Sequence, residues 1–260
     1  MRRTKGGRNR CKASATSADS SPARALSRIP MEANLGNAFS IRRAAIVATA
    51  AMMLSVTSAC ANEGVALPVP QKDIPASKAL ATDTAVFAGG CFWGVEAVFR
   101  HVRGVKSSVS GYAGGEAATA HYEIVGSGAT GHAESVQVTY DPSQVSYGEL
   151  LRIFFSVAHD PTQLNRQGPD VGTQYRSAIF TRNDAQMEVA KAYIAQLDAA
   201  KVYKRPIVTQ VTSLPGFYRA EDYHQNYYDK HSSDGYCRLV IAPKLEKLHK
   251  LHPNQLKAAM

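Results

Sequence analysis

Two hydrophobic rhythms alternate along this chain and divide it into strands and helices. Thr84–Ala88 is a short apolar run stopped by Gly89-Gly90, which reads as a strand and its turn. Phe92, Val95, Val98, Phe99 and Val102 then recur at helical spacing, so a helix opens at Cys91. Val105–Tyr112 reads as a strand halted by Gly114-Gly115. In Glu134–Tyr140 the apolar residues Val136, Val138 and Tyr140 alternate onto one face before Asp141-Pro142. Ser146-Tyr-Gly-Glu149 is a capping box that opens a helix through Leu150, Leu151, Phe154 and Phe155. Gln174–Phe180 predicts a strand, Asn183–Ala200 a long amphipathic helix, Ile207–Thr212 a strand, and Ala220–Lys230 an aromatic-rich helix. There is no internal repeat. The order predicts an α+β fold, a two-layer ferredoxin-like βαββαβ core with a mostly antiparallel sheet plus an added helix and strand.

Upstream of this ordered part the pattern changes. Residues 62–82 carry Pro68, Pro70 and Pro75 without periodicity and read as a linker. Before it, Arg42-Arg43 precedes an unbroken small and apolar run from Ala44 to Leu54, followed by Ala59-Cys60-Ala61. That is the layout of a secretory signal, too short for a comfortable permanent membrane span. Two processing outcomes fit, cleavage after Ala61 or lipidation of Cys60 at an imperfect lipoprotein box, Thr57-Ser-Ala-Cys60, and an uncleaved tail is the plainer alternative. The length of the lead also fits a start of translation at Met31. The expectation is an exported protein of a bacterium, periplasmic or anchored as a lipoprotein, with residues 1–61 as basic leader and signal.

Charge supports this division. The net charge of +9 looks like a nucleic-acid footprint until it is mapped. Residues 1–43 hold ten Lys/Arg against two Asp/Glu, and the remainder holds 20 against 19. The folded part is near neutral and carries no nucleic-acid signature.

Cys11 and Cys60 belong to the leader, leaving Cys91 and Cys237 in the folded part. Two cysteines in an exported domain form a structural disulfide as readily as an active pair. In Ala88-Gly-Gly-Cys-Phe-Trp-Gly94, however, Cys91 sits at a strand-to-helix turn. The positive end of the helix dipole and its free N–H groups favour a thiolate there and predict a lowered pKa. Phe92 and Trp93 point to different faces of the helix, so one of them lines a cleft or is exposed. A buried structural cysteine with core aromatics is the plainer alternative. No His/Cys spacing resembles a zinc site, and no metal or cofactor is expected.

Gly90-Cys-Phe-Trp-Gly94 resembles the active-site signature of the type A peptide methionine sulfoxide reductases. Further similar stretches follow in that family's order: Gly111-Tyr-Ala-Gly-Gly115, Gly131-His-Ala-Glu134, His159-Asp-Pro161, Gly172-Thr-Gln-Tyr-Arg176, Tyr223-His-Gln225 and Gly235-Tyr-Cys237. The resemblance covers about residues 84–240, so 83–240 is expected to be the catalytic domain and 241–260 a basic C-terminal tail. It implies Cys91 as nucleophile, Phe92 and Trp93 as the pocket for the substrate methyl group, and Glu134 as proton donor. Tyr112 and Tyr175 would donate to the sulfoxide oxygen, and Asp160 falls at an active-site position. Donors are needed because a sulfoxide sulfur is a poor electrophile until its oxygen is protonated or strongly hydrogen-bonded. Glu134 serves as acid only if burial raises its pKa.

Taken alone, these residues read otherwise: Glu134 as solvated, the tyrosines as packing, Asp160 as a turn former. His132 and His224 are read as structural. The resemblance further implies a sulfenic acid on Cys91, resolved by Cys237 from a flexible Gly/Ser-rich segment. Its disulfide would be reduced by a thioredoxin-like donor. The substrates would be the S-sulfoxides of free and protein-bound methionine, handled by a monomer. The competing reading is an exported binding module with a structural Cys91–Cys237 disulfide. A thiol peroxidase or disulfide exchanger fits less well, since the chain has no Cys-x-x-Cys.

Overall fold

A computed structural model describes residues 66–75 and 81–258, and the leader and its signal lie outside them. The strands are β1 (Asp83–Gly89), β2 (Val105–Ala113), β3 (Ala133–Tyr140), β4 (Arg166–Gln167), β5 (Asp170–Val171), β6 (Ser177–Thr181), β7 (Gln210–Ser213) and β8 (Phe217–Arg219). The α-helices are α1 (Phe92–Arg100), α2 (Tyr122–Val125), α3 (Tyr147–Ile153), α4 (Asp184–Ala199), α5 (Tyr227–Lys230) and α6 (Ala242–Leu251). Six strands form one sheet in the order β7-β6-β1-β3-β2-β8, and β4 and β5 form a separate hairpin.

The four central strands, with α1 and α3, form the expected βαββαβ core. β1 pairs antiparallel with β3 and β6, and β2 with β3 and β8. The added unit is α4 leading to β7, which joins β6 in parallel. Alternation along β1 explains its central place. Ala85 and Phe87 belong to the main core, while Val86 and Ala88 pack into a smaller cluster with Ala178 and Phe180. The main core joins Phe87, Val95, Val98 and Phe99 to Val136, Val138, Leu150 and Phe154.

Caps behave as the sequence suggests, in part. The Ser146 side chain accepts from Glu149 N–H at 3.1 Å and opens α3. The reciprocal half of the box does not form, because the Glu149 carboxylate accepts from Arg152 instead. Asn183 caps α4 by accepting from Gln186 N–H at 2.9 Å.

Several boundaries differ from expectation. Residues 173–175 form a 3₁₀ turn, so the predicted 174–180 strand starts at Ser177. The 220–230 helix is broken: Asp222–His224 is a 3₁₀ turn, Asn226 is left-handed at φ 58°, and only Tyr227–Lys230 is α-helical. The cause is side-chain competition. The Gln225 carboxamide pairs with the backbone of Ser110 on β2, and Asn226 N–H donates to the buried Glu96 carboxylate.

The assigned linker and tail also change. Residues 66–75 lie on the domain: Leu67 is buried, its carbonyl accepts from Arg152, and Pro68 accepts from the Tyr193 hydroxyl. Beyond residue 240 the chain is equally integrated. Leu245 and Leu248 of α6 are buried, and Ser156 Oγ and His252 Nε2 lie 2.8 Å apart. Spacing of three residues between these leucines marks a helical apolar face, outweighed in the sequence by the surrounding lysines. Among the described residues no helix is long and apolar enough to cross a membrane.

Candidate active site

The site begins where β1 stops. Gly90 has φ 88°, a conformation L side chains avoid, and a Cβ there would lie 2.5 Å from the Gln167 side chain. This turn delivers Cys91 to the N-cap of α1. The cysteine is half-buried, and its thiol is free.

Glu134, on β3, is 3% exposed, and one of its oxygens accepts from Phe92 N–H at 3.0 Å. Burial pushes its carboxyl up to about 8; the Phe92 N–H lowers it, and Asp170 raises it. It is therefore an acid still holding its proton at neutral pH, as the chemistry requires. Strand pairing had no need of a charge here, which is why alternation alone read Glu134 as solvated.

The Cys91 thiol departs from the expected lowering. Burial pushes it well above the ordinary thiol range, and the nearby Glu134 charge adds to this. The backbone N–H of Trp93 and the neighbouring Tyr236 side chain act the other way. Dehydration of the site outweighs the helix N-terminus, so the resting sulfur is a thiol.

Two tyrosines flank this pair, but only one of them was expected. Tyr175 and Tyr122 both feel the charges of Glu134 and Cys91, after the larger effect of burial, which raises both hydroxyls, Tyr122 to about 12. Among the described residues no hydrogen bond to either hydroxyl is among the causes. Tyr112 lies opposite Glu134 in the strand register, is completely buried, and donates its hydroxyl to Glu221 at 2.8 Å. Its hydroxyl proton is already committed to Glu221.

Asp160 is likewise displaced. Burial alone would raise its carboxyl, yet it lies below the ordinary range because Gln163, Thr162 and Arg205 hold it. Its oxygens accept from Thr162 Oγ1 at 2.7 Å and Gln163 Nε2 at 3.0 Å, a turn-forming role. Asp170, ten residues on, is the carboxylate at the site. It accepts from the Tyr236 hydroxyl at 2.6 Å, and its charge acts on Cys91, Glu134 and Tyr175.

Phe92 is buried and Trp93 half-buried, as their opposite directions require. Trp93 stacks on Tyr227 at 3.6 Å between ring centroids and meets Tyr236 edge-on at 6.0 Å. Its indole N–H donates to His224 Nδ1 at 3.0 Å. His224 therefore orients Trp93, and burial lowers its pKa, so it stays neutral. His132 contacts the Glu116 carbonyl and the Tyr112 ring edge, away from the sulfur. Neither histidine is placed as a base.

Cys237 is also a free thiol, but not on a flexible segment. It is wholly buried at the first position of a π-helical turn, Cys237–Ile241, and packs in the same apolar cluster as Cys91. The preceding stretch, 229–235, is exposed, as are Arg238 and Leu239 just after it.

The sequence reading missed Tyr122, Asp170 and the orienting role of His224. Tyr122 and Asp170 lie in short irregular elements without hydrophobic periodicity, and only their three-dimensional convergence marks them.

Comparison with known proteins gives the family. The family model for peptide methionine sulfoxide reductase matches residues 83–256. Peptide methionine sulfoxide reductase MsrA 2 of Mesorhizobium japonicum is 56% identical over 172 residues, 66% of this chain and 88% of the relative. The protein of the same name from Synechocystis is 53% identical over 194 residues, 74% of this chain and 91% of the relative. Reduced Mxr1 from Saccharomyces cerevisiae superposes with a TM-score of 0.55 at 36% identity, covering 64% of this chain and 94% of that one. Methionine sulfoxide reductase A of Corynebacterium diphtheriae does so at 0.52 and 36%, covering 68% and 90%. The chain belongs to the type A peptide methionine sulfoxide reductases, thiol-dependent oxidoreductases that return methionine S-sulfoxide to methionine.

Proposed function

We propose that the Cys91 sulfur attacks the sulfur of a methionine S-sulfoxide whose oxygen is held by Glu134, Tyr122 and Tyr175. The supporting observation is their convergence: a protonated buried carboxyl and two tyrosine hydroxyls gather around one thiol. The substrate methyl group packs against Phe92 and Trp93. As the new S–S bond forms, the oxygen accepts a proton from Glu134, and the developing charge is met by hydroxyls already in place. Oxygen then passes to Cys91, which ends as a sulfenic acid while methionine leaves reduced. The thiol proton balances the one that Glu134 donated.

Cys237 resolves this intermediate. Its sulfur attacks the sulfenic sulfur, water leaves, and a Cys91–Cys237 disulfide remains. A thioredoxin-like dithiol restores both thiols by exchange and is itself oxidised. The resting structure, with both sulfurs free and the family enzymatic, gives no support to a binding module stapled by this pair.

Separate turnover of the two sulfoxide epimers with dithiothreitol tests this reading: methionine should form from the S epimer and not from the R. Tyr122→Phe and Tyr175→Phe should each slow the single-turnover step by on the order of 10²-fold, the usual worth of one oxyanion donor. Tyr112→Phe should leave that step near the parent rate while lowering thermal stability, because it removes one of the two donors to Glu221 and leaves only the Tyr122 N–H. Equal losses in all three would remove Tyr122 from the reading. Cys237→Ser should release one equivalent of methionine and then stall with a thioredoxin donor. Undiminished steady-state turnover there would take Cys237 out of the cycle.

We also propose that residues 1–61 export the enzyme, so that it works as a monomer on the outer side of the membrane with an external thioredoxin-like donor. Arg42-Arg43 and the apolar run after them support this. Both fates of Cys60, removal or lipidation, stay open. Fractionation decides: mature protein in the cytosol with residues 31–61 attached would overturn export.

A further inference from the structure

We propose that Lys244 is the counter-charge of the Cys91 thiolate, a positioning residue carried on the helix that follows Cys237. It rests on Cys91 being the attacking sulfur.

Geometry places the ammonium. Lys244 lies in the first turn of α6, and its Nζ donates to the Ala158 carbonyl at 2.7 Å. It is thus turned into the protein, where lysines seldom sit. A Cβ built on Gly94 would lie 3.3 Å from Nζ and 3.5 Å from Cδ, so the stem and ammonium cover Gly94. Gly94 is three residues past Cys91, and its N–H donates to the Cys91 carbonyl at 3.2 Å. The ammonium therefore lies over the first turn of α1, the turn that Cys91 caps. Gly94 has no side chain to displace it.

The charges around the sulfur show why a cation is needed there. Asp170 on β5 opposes ionisation of Cys91, and so does Glu134 on β3 once it has given up its proton. Tyr122, Tyr175 and Tyr236 present neutral hydroxyls, and Lys247, one turn further along α6, acts on Asp160 instead. Burial lowers Lys244 to about 8, while the Cys91 and Asp170 charges pull it back up. It is thus mainly protonated at neutral pH. A sulfur that rests as a thiol in a dehydrated, acidic surrounding must pass through an anion to attack, and one fixed ammonium favours that anion. Lys244 makes and breaks no bond and keeps its proton throughout.

The test is iodoacetamide alkylation of Cys91 against pH, read by mass spectrometry of its peptide in the full chain. Lys244→Met keeps the bulk of the stem, Lys244→Gln keeps a donor for Ala158, and Lys244→Arg keeps the charge. In the Met and Gln variants alkylation at pH 7 should fall about tenfold, the profile moving up by about one pH unit. The Arg variant should stay near the parent. An unmoved profile in either neutral variant that folds overturns the proposal. Alkylation uses no sulfoxide, so it is read independently of whether Cys91 is the attacking sulfur.

Discussion

Cys91→Ser is expected to form no methionine from the sulfoxide, even in a single turnover with enzyme in excess. Serine is a good N-cap, so α1 should keep its start and the fold its stability. The loss is chemical. Cys91 accepts an oxygen atom onto sulfur and becomes a sulfenic acid, whereas a serine hydroxyl would have to form an oxygen–oxygen bond. The neighbouring Glu134, Tyr122 and Tyr175 still bind the sulfoxide oxygen but have no electron pair of the right kind to displace it. Methionine release at the background rate, with an unchanged melting temperature, is the predicted outcome. A Ser variant that turns over at the parent rate would overturn the assignment of Cys91.

The second large effect is at Glu134. Glu134→Gln should slow methionine formation by roughly 10²–10⁴-fold, the range for losing a positioned general acid. Some activity survives because a carboxamide still donates a hydrogen bond. The pH profile carries the sign. Burial raises the Glu134 carboxyl to about 8, so the proton-bearing form dominates below that pH and is lost above it. Cys91 ionisation gives the opposite slope. The parent single-turnover rate should therefore fall on the alkaline side as pH rises through about 8, and the Gln variant should lack that falling limb. A loss below threefold, or an alkaline limb that survives in Glu134→Gln, would return Glu134 to a passive place in the strand.

These predictions draw on parts of the site that differ in how far the chain reveals them. The alternation of Val136, Val138 and Tyr140 and the helical spacing after Cys91 placed the core strands and α1 correctly, because each buries one continuous face. Cys91 itself was legible through Gly90, whose positive φ marks a turn that only glycine makes freely. Its pKa was not, since the helix N-terminus is a local feature while dehydration comes from Glu134, Phe92 and Trp93 packed over it. Choosing Tyr112 over Tyr122, and Asp160 over Asp170, shows the same limit. Each pair holds the same residue type, and which member faces the sulfur depends on side-chain contacts that no periodicity records. Tyr112 is drawn away by Glu221, 109 positions later. Asp160 is held by its own neighbours, Thr162 and Gln163. The helix α6 was hidden for another reason: its lysines and histidines dominate the composition, while Leu245 and Leu248 alone carry the buried face.

The burial of Cys237 makes the two sulfurs unequal in access. A half-exposed Cys91 meets dissolved peroxides and alkylating agents, while a sulfur with no exposed surface, seated in the Cys237–Ile241 turn, answers only to a neighbour inside the fold. Small oxidants therefore register first at Cys91, and the sulfenic acid they leave there is the same species that a sulfoxide would leave. The recycling route then clears accidental oxidation of the nucleophile as it clears a completed turnover. A wide π turn is less well bonded than an α-helix, so what guards the second thiol is also a natural place for the chain to open.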